Sequence, residues 1–255
     1  MKSGQRLWTR EELILAINLY CKLPFGKMHQ HNPEIIELSG IIARTPGSVA
    51  LKLGNFASLD PSLQARGIKG AANTSKLDRE TWMAFFNNWD ALIIESELLL
   101  AKYKGLPEPV SENIADDKEL IGQTREQVIQ ARVNQSFFRK SILAAYNTTC
   151  CITGLQHPEL LVASHIRPWA MDEGNRLNPR NGIAINALHD KAFEAGLMTI
   201  DTDYRIRISS KIKKDPHGPL SDYFTRFDHQ LMILPTRFLP DPAFLMYHNT
   251  ERFIP

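Results

Sequence analysis

Residues 164–196 read SHIRPWAMDEGNRLNPRNGIAINALHDKAFEAG. Ser164, His165, Asn181, His189, Asp190 and Glu194 stand within this stretch, with Pro168, Gly174 and Pro179 marking a loop between them. An imidazole with an ordinary pKa of about 6.5 can take up or release a proton near neutrality. Carboxylates are ligands for a hard cation such as Mg²⁺. Asp190 and Glu194 are four positions apart, so on a helix they share one face. Such a set could bring oxygen and nitrogen donors together on one divalent cation, with an imidazole facing it. The competing reading makes His165 a core histidine, Asn181–Gly182 a hairpin turn and the two carboxylates a solvated helix face.

The elements needed to position these groups can be read from the flanking pattern. LLVASHI (160–166) is a short apolar strand ending in the polar pair Ser164–His165. Asn181–Gly182 is a tight-turn signal, GIAI (182–185) a second short strand, and a helix follows from about Leu188. LMTID (197–201) and YRIRIS (204–209) continue the strand-like pattern, and a polar helix over 123–146 precedes the whole. This half of the chain is mixed α and β.

The order of His165, Asn181 and an acidic or histidine position nine residues later, in the context SHIRPW…NRLNPRNGIAIN.LHDKAFE.GL, resembles the HNH (ββα-metal) nuclease motif. The surroundings are similar to the restriction-type branch of that family. The resemblance covers about residues 125–210 and includes FFRKSILAAYNTTCCITG upstream. It implies that His165 is the general base, that Asn181 braces the loop and orients the base, and that Asp190 and, one turn on, Glu194 hold a Mg²⁺ or Mn²⁺ ion. His189 is the alternative ligand if the helix phase differs by one residue. Many family members carry Asp or His just before the base. Ser164 stands there in this chain, so fewer protein groups would hold the metal. Many also carry two CxxC pairs for a structural zinc. Here only the adjacent Cys150 and Cys151 are present, so no structural zinc is expected.

The first hundred residues have a different character. Thr9 and Glu12 form a capping-box signature ahead of a helix over 9–20. Residues 33–56 read as two short helices around RTPGS, with Ser48 as a candidate cap for the second, which is helix–turn–helix spacing. One long helix is expected over 78–103. Arg44, Thr45, Ser48 and Lys52 cluster at the turn, with His31 and Arg66 nearby, and could reach DNA phosphates. Arg205 and Arg207 would share one face of a later strand and are further phosphate candidates. The expected fold is therefore α+β. An all-helical, helix–turn–helix-like recognition domain (1–105) is followed by a linker (106–122), marked by two prolines and net acidic charge, and a ββα-metal nuclease domain (123–255).

With 255 residues and a net charge of +2, the chain is only mildly basic, so any DNA-binding surface must be local. Three cysteines, two of them adjacent, argue against a secreted disulfide scaffold and for a reducing cytoplasm. No apolar run is long enough for a membrane span. These readings converge on an enzyme: an endonuclease that cuts double-stranded DNA, of restriction type and reading a modified base or a phosphorothioate backbone through its N-terminal domain. A double-strand cut needs two active sites, which a homodimer would supply. The alternative is a non-catalytic DNA-binding regulator with a degenerate nuclease fold, which the serine at position 164 favours.

Overall fold

A computed structural model of the chain describes residues 6–68, 70, 73–105, 125–214 and 220–255, giving the backbone alone for 125–134 and 221. The residues of the expected 106–122 linker lie outside the described residues. The chain divides into two units, Met1–Lys140 and Ser141–Pro255. Among the described residues, no helix is long and apolar enough to cross a membrane.

The first unit is helical. Helix α1 (Arg10–Lys22) starts at Thr9, whose hydroxyl accepts from Glu12 N while the Glu12 carboxylate accepts from Thr9 N. Helices α2 (Pro33–Ile41) and α3 (Pro46–Ala57) flank a short turn. The cap of α3 is Thr45, which accepts from Ser48 N at 3.2 Å, and not Ser48 as expected; Pro46 at the first helical position sets the start three residues earlier. A short helix, α4 (Pro61–Ala65), follows and is capped by Asp60.

The single helix expected over 78–103 is two, α5 (Lys76–Asn87) and α6 (Trp89–Tyr103). Asn88 leaves helical geometry at φ −153° and its side chain accepts from Ala91 N, restarting the helix as an N-cap. The apolar pattern runs through the break because both helices bury the same kind of face. Tyr20, Phe56 and Trp82 meet in the core, the last two stacked at 5.9 Å. The Tyr20 hydroxyl is satisfied by Asp60 at 3.0 Å.

The unit boundary falls within α7 (Arg125–Ala145). In the second unit, β1 (Leu161–His165) pairs antiparallel with β2 (Gly182–Asn186), setting His165 opposite Gly182 and Ser164 opposite Ile183. Helix α8 (Ala187–Glu194) follows β2 without a loop, because Asn186 both ends the strand and caps the helix by accepting from His189 N at 3.0 Å. A second ribbon pairs β3 (Met198–Ile200) with β4 (Ile206–Ile208). Three short helices complete the unit: α9 (Ser210–Lys213), α10 (Leu220–Tyr223) and α11 (Pro242–Tyr247), the last continuing into a π-helical turn over His248–Arg252.

Asn181–Gly182 is not a hairpin turn. Pro179–Asn181 forms a tight 3₁₀ turn and Gly182 is already extended, because the connection from β1 spans residues 166–181. The paired cysteines lie in a turn beside β2. Cys151 N donates to Ala184 O at 2.7 Å, and the Cys150 thiol accepts from Asn186 N at 3.3 Å. Both are buried and reduced. Their hydrogen bonds hold the strand that leads into α8.

Candidate active site

The 166–181 loop is tied at its two ends by one side chain. Asn181 is 1 % exposed. Its Oδ1 accepts from Arg167 N at 2.8 Å, and its Nδ2 donates to Arg167 O and Asn175 O at 3.1 and 3.2 Å. Ile166 N donates to Asn181 O, so backbone and side chain close the same loop. Inside it, Arg176 Nε donates to Trp169 O at 2.9 Å and its guanidinium lies over the Trp169 ring.

That loop in turn orients His165. The imidazole Nε2 is 2.8 Å from Arg176 O, and Trp169 packs edge-on at 5.6 Å between centroids. A carbonyl can only accept, so in the neutral ring Nε2 carries the hydrogen and Nδ1 carries the lone pair. Burial holds the pKa of His165 below the ordinary histidine value, with the Arg176 carbonyl acting in the opposite direction. Burial therefore favours the neutral form of the ring.

A cavity of about 500 Å³ opens beside it, lined among others by Ser164, His165, Asp190, Glu194, His248 and Arg252. Asp190 is half-buried. Burial pushes its carboxyl above the usual carboxylate value; a hydrogen bond from Ser164 works against this, and Glu194 adds to it. Glu194 is exposed and pairs with Lys191 at 3.3 Å.

His189 goes elsewhere. It is 2 % exposed, donates from Nε2 to Tyr223 O at 2.7 Å and accepts at Nδ1 from Asn186 Nδ2 at 2.7 Å. Phe224 and Phe227 pack against its ring. Both nitrogens are used inside the fold, so the structure brings Asp190 to the cavity and leaves His189 out of it. Asp190 is on the side of α8 that meets Ser164 of β1.

Among the described residues, no three His, Cys, Asp or Glu side chains gather as a metal-binding cluster. The oxygen donors lining the cavity include the half-buried Asp190, the exposed Glu194 and Ser164. This fits Mg²⁺ or Mn²⁺, which keep several waters and use one or two carboxylates plus substrate oxygens. It does not fit a closed tetrahedral zinc site.

The candidate DNA contacts divide by exposure. Arg44 has a side chain 7 % exposed, pairs with Glu12 at 2.7 Å, donates to Leu7 O and stacks on Trp8 at 4.0 Å. Lys52 is 7 % exposed and donates to both oxygens of the fully buried Asp78, at 2.8 and 2.9 Å. Both cations belong to the interior of the helical unit, because each neutralises a carboxylate that caps a helix. Neither presents its charge at the surface. Thr45, His31 and Arg66 are exposed, and Ser48 is half-buried. Arg205 and Arg207 are exposed on one face of the β4 ribbon, with Ile206 and Ile208 buried on the other; Arg205 donates to His229 O at 3.0 Å.

Two cavity residues carry no signal in the sequence. His248 and Arg252 reach the site from the π-helical turn after α11. His248 stacks on Phe193 at 3.7 Å, its Nδ1 is 2.7 Å from Thr199 Oγ1 and its Nε2 is 3.2 Å from Phe193 O. Burial lowers its pKa from 6.5 to about 4. Between those values the unfolded chain binds a proton that the folded chain does not. Stability from neutral His248 is therefore complete above pH 6.5 and is lost as pH falls toward 4. The melting temperature should drop over that window, and His248→Gln should flatten the drop. Equal slopes for the two proteins would remove His248 from the acid sensitivity.

A strand-end histidine with a fixed tautomer, an asparagine bracing the loop behind it and a helix-borne carboxylate in the same cavity form a site of the hydrolase class. In comparison with known families, residues 150–201 match a family model described as HNH endonuclease. That segment holds β1, the braced loop, β2, α8 and β3, so this part of the second unit is similar to HNH endonuclease domains. No curated protein matches the chain.

Proposed function

We propose that the chain is a metal-dependent endodeoxyribonuclease built on a ββα-metal core, in which β1, β2 and α8 are the two strands and the helix. The observation that carries this reading is the cavity shared by His165 and Asp190, reached from opposite elements. His165 acts as general base. Its Nδ1 takes a proton from water as the water oxygen attacks phosphorus and the bond to the 3′ oxygen breaks. Asn181 is the positioning residue, since its bonds to Arg167 and Asn175 set the loop whose Arg176 carbonyl aims the imidazole. Asp190, with Ser164 and Glu194 beside it, would hold Mg²⁺ or Mn²⁺. When bound, the ion supplies positive charge for the phosphorane and the leaving oxygen.

The helical N-terminal region (1–105) is the recognition domain in this reading, with His31, Thr45, Ser48 and Arg66 as its candidate contacts and Arg205 and Arg207 as phosphate contacts of the nuclease domain. The substrate is double-stranded DNA carrying a modified base or a phosphorothioate backbone, the enzyme is of restriction type and cytoplasmic, and a homodimer would make the double-strand cut. One plasmid prepared unmodified, methylated, hydroxymethylated and phosphorothioated, digested with Mg²⁺ or Mn²⁺, tests it. One preparation should be cut preferentially, and Asp190→Asn should raise the metal concentration needed far more than His189→Gln. Uniform cutting would remove the modification-dependent reading. The second reading, a DNA-binding regulator without activity, draws on Ser164 standing where an acid or histidine ligand would be; no cleavage of any preparation would favour it.

A further inference from the structure

We infer that Arg252 is a phosphate-binding residue of the cleavage cavity, presented by a C-terminal segment that the fold holds in place for that purpose. The inference rests on the nuclease reading of the cavity and adds a residue outside the 150–201 match.

The cavity is electrostatically incomplete without it. Asp190 and Glu194 place two carboxylates on its wall. A phosphodiester entering there is itself an anion, so a cation on the cavity wall attracts it. The side-chain cations lining the cavity are Lys191 and Arg252. Lys191 is engaged with the Glu194 carboxylate at 3.3 Å. Arg252 instead donates from Nη2 to the backbone carbonyl of Glu194 at 2.9 Å, which orients the guanidinium without neutralising it. Among the described residues no carboxylate forms an ion pair with Arg252. A guanidinium has five N–H donors in a planar fork, a geometry suited to phosphate oxygens.

The backbone around Arg252 is anchored at several points. His248 is stacked on Phe193 and bonded to Thr199. Phe253 N donates to His248 O, and Ile254 N donates to Gly196 O, both at 2.9 Å. Ser210 Oγ donates to Pro255 O at 2.8 Å. Gly196 has φ +69°, and a Cβ added there would lie 2.1 Å from Arg252 O. The approach of the segment to the end of α8 thus requires glycine at 196 twice over, for backbone conformation and for space. These contacts fix the backbone on both sides of Arg252, which lines the cavity.

The test reads binding apart from cleavage. A short fluorescent DNA duplex is titrated with His165→Ala protein, with and without Arg252→Gln or Arg252→Lys, across a range of salt by anisotropy. Loss of one charge-assisted phosphate contact should weaken binding about tenfold at low salt. It should also make the salt dependence shallower by about 0.9 in log–log slope. Arg252→Lys should restore the slope, since the charge remains. With His165 intact, Arg252→Gln should raise KM for cleavage more than it lowers kcat. Gly196→Ala, which displaces the segment bearing Arg252 without removing any charge from the chain, should reproduce the loss of affinity.

Unchanged affinity and slope for Arg252→Gln would overturn the inference while leaving the nuclease reading standing. Weaker binding at unchanged slope would also overturn it, since that outcome marks a structural role. Binding through Arg252 with no cleavage by the His165-containing protein would sink the nuclease reading and keep the phosphate contact. No affinity of any variant for the duplex at low salt would overturn both.

Discussion

Replacing His165 with alanine should abolish DNA cleavage and leave affinity for duplex DNA unchanged. In the proposed mechanism the imidazole acts on water, not on the grip for DNA, so its loss should appear in kcat. A positioned general base is worth about 10²–10⁴ in rate. The structure gives a reason to expect the upper part of that range. The ring is held by the Arg176 carbonyl on one side and the Trp169 edge on another, and burial favours its neutral form. No other imidazole in the cavity can stand in, because His248 directs both nitrogens into the fold. Single-turnover cleavage beside a mobility-shift titration separates the two quantities. Full activity in His165→Ala would remove the residue from the mechanism; lost binding would show that its role is structural.

The second large effect falls in the other unit and concerns stability. Lys52→Ala should lower the stability of the helical unit by about 3–5 kcal/mol, the cost of leaving one member of a buried ion pair without its partner. The Asp78 carboxylate is 0 % exposed and also accepts from Ser75 N at 2.8 Å as the first-turn cap of α5. Without Lys52 its charge is stranded between α3 and α5. Replacing both residues, Lys52→Met with Asp78→Asn, should recover much of the loss, since the double change leaves no buried charge. Denaturant unfolding of the parent, Lys52→Met, Asp78→Asn and the double variant, read as a double-mutant cycle, gives the coupling. A Lys52→Ala protein as stable as the parent but weaker on DNA would reverse the assignment and return Lys52 to the binding surface.

The fate of Lys52 and Arg44 shows where reading along the chain stops. Arg44 lies in the turn between α2 and α3 and Lys52 within α3, both with the right charge for phosphate contact, and nothing local distinguishes a surface cation from an interior one. The distinction lies in carboxylates far along the chain: Glu12 is 32 positions from Arg44, and Asp78 is 26 from Lys52. Elsewhere the signal was local, and the chain could be read directly. The Thr9–Glu12 capping box, Pro33 and Pro46 at helix starts, the two short strands and the helix after Asn186 depend on hydrogen bonds spanning three or four residues. The break at Asn88 was missed because the apolar pattern is continuous across it, whereas the N-cap depends on one residue's conformation.

The candidate site divides the same way. By itself the sequence determined that a histidine, an asparagine and a carboxylate recur in the order and spacing of a strand, a loop and a helix, since spacing along regular elements translates directly into position. Only the tertiary structure decided that Asp190 enters the cavity while His189 turns toward Tyr223, because that depends on how α8 packs against β1. The same holds for the favoured neutral form of His165, which follows from burial. Arg252 and His248 joined the cavity only through folding. Gly196 lets the distant segment approach to contact distance, and a contact between residues so far apart in the chain leaves no period, cap or turn for a sequence to display.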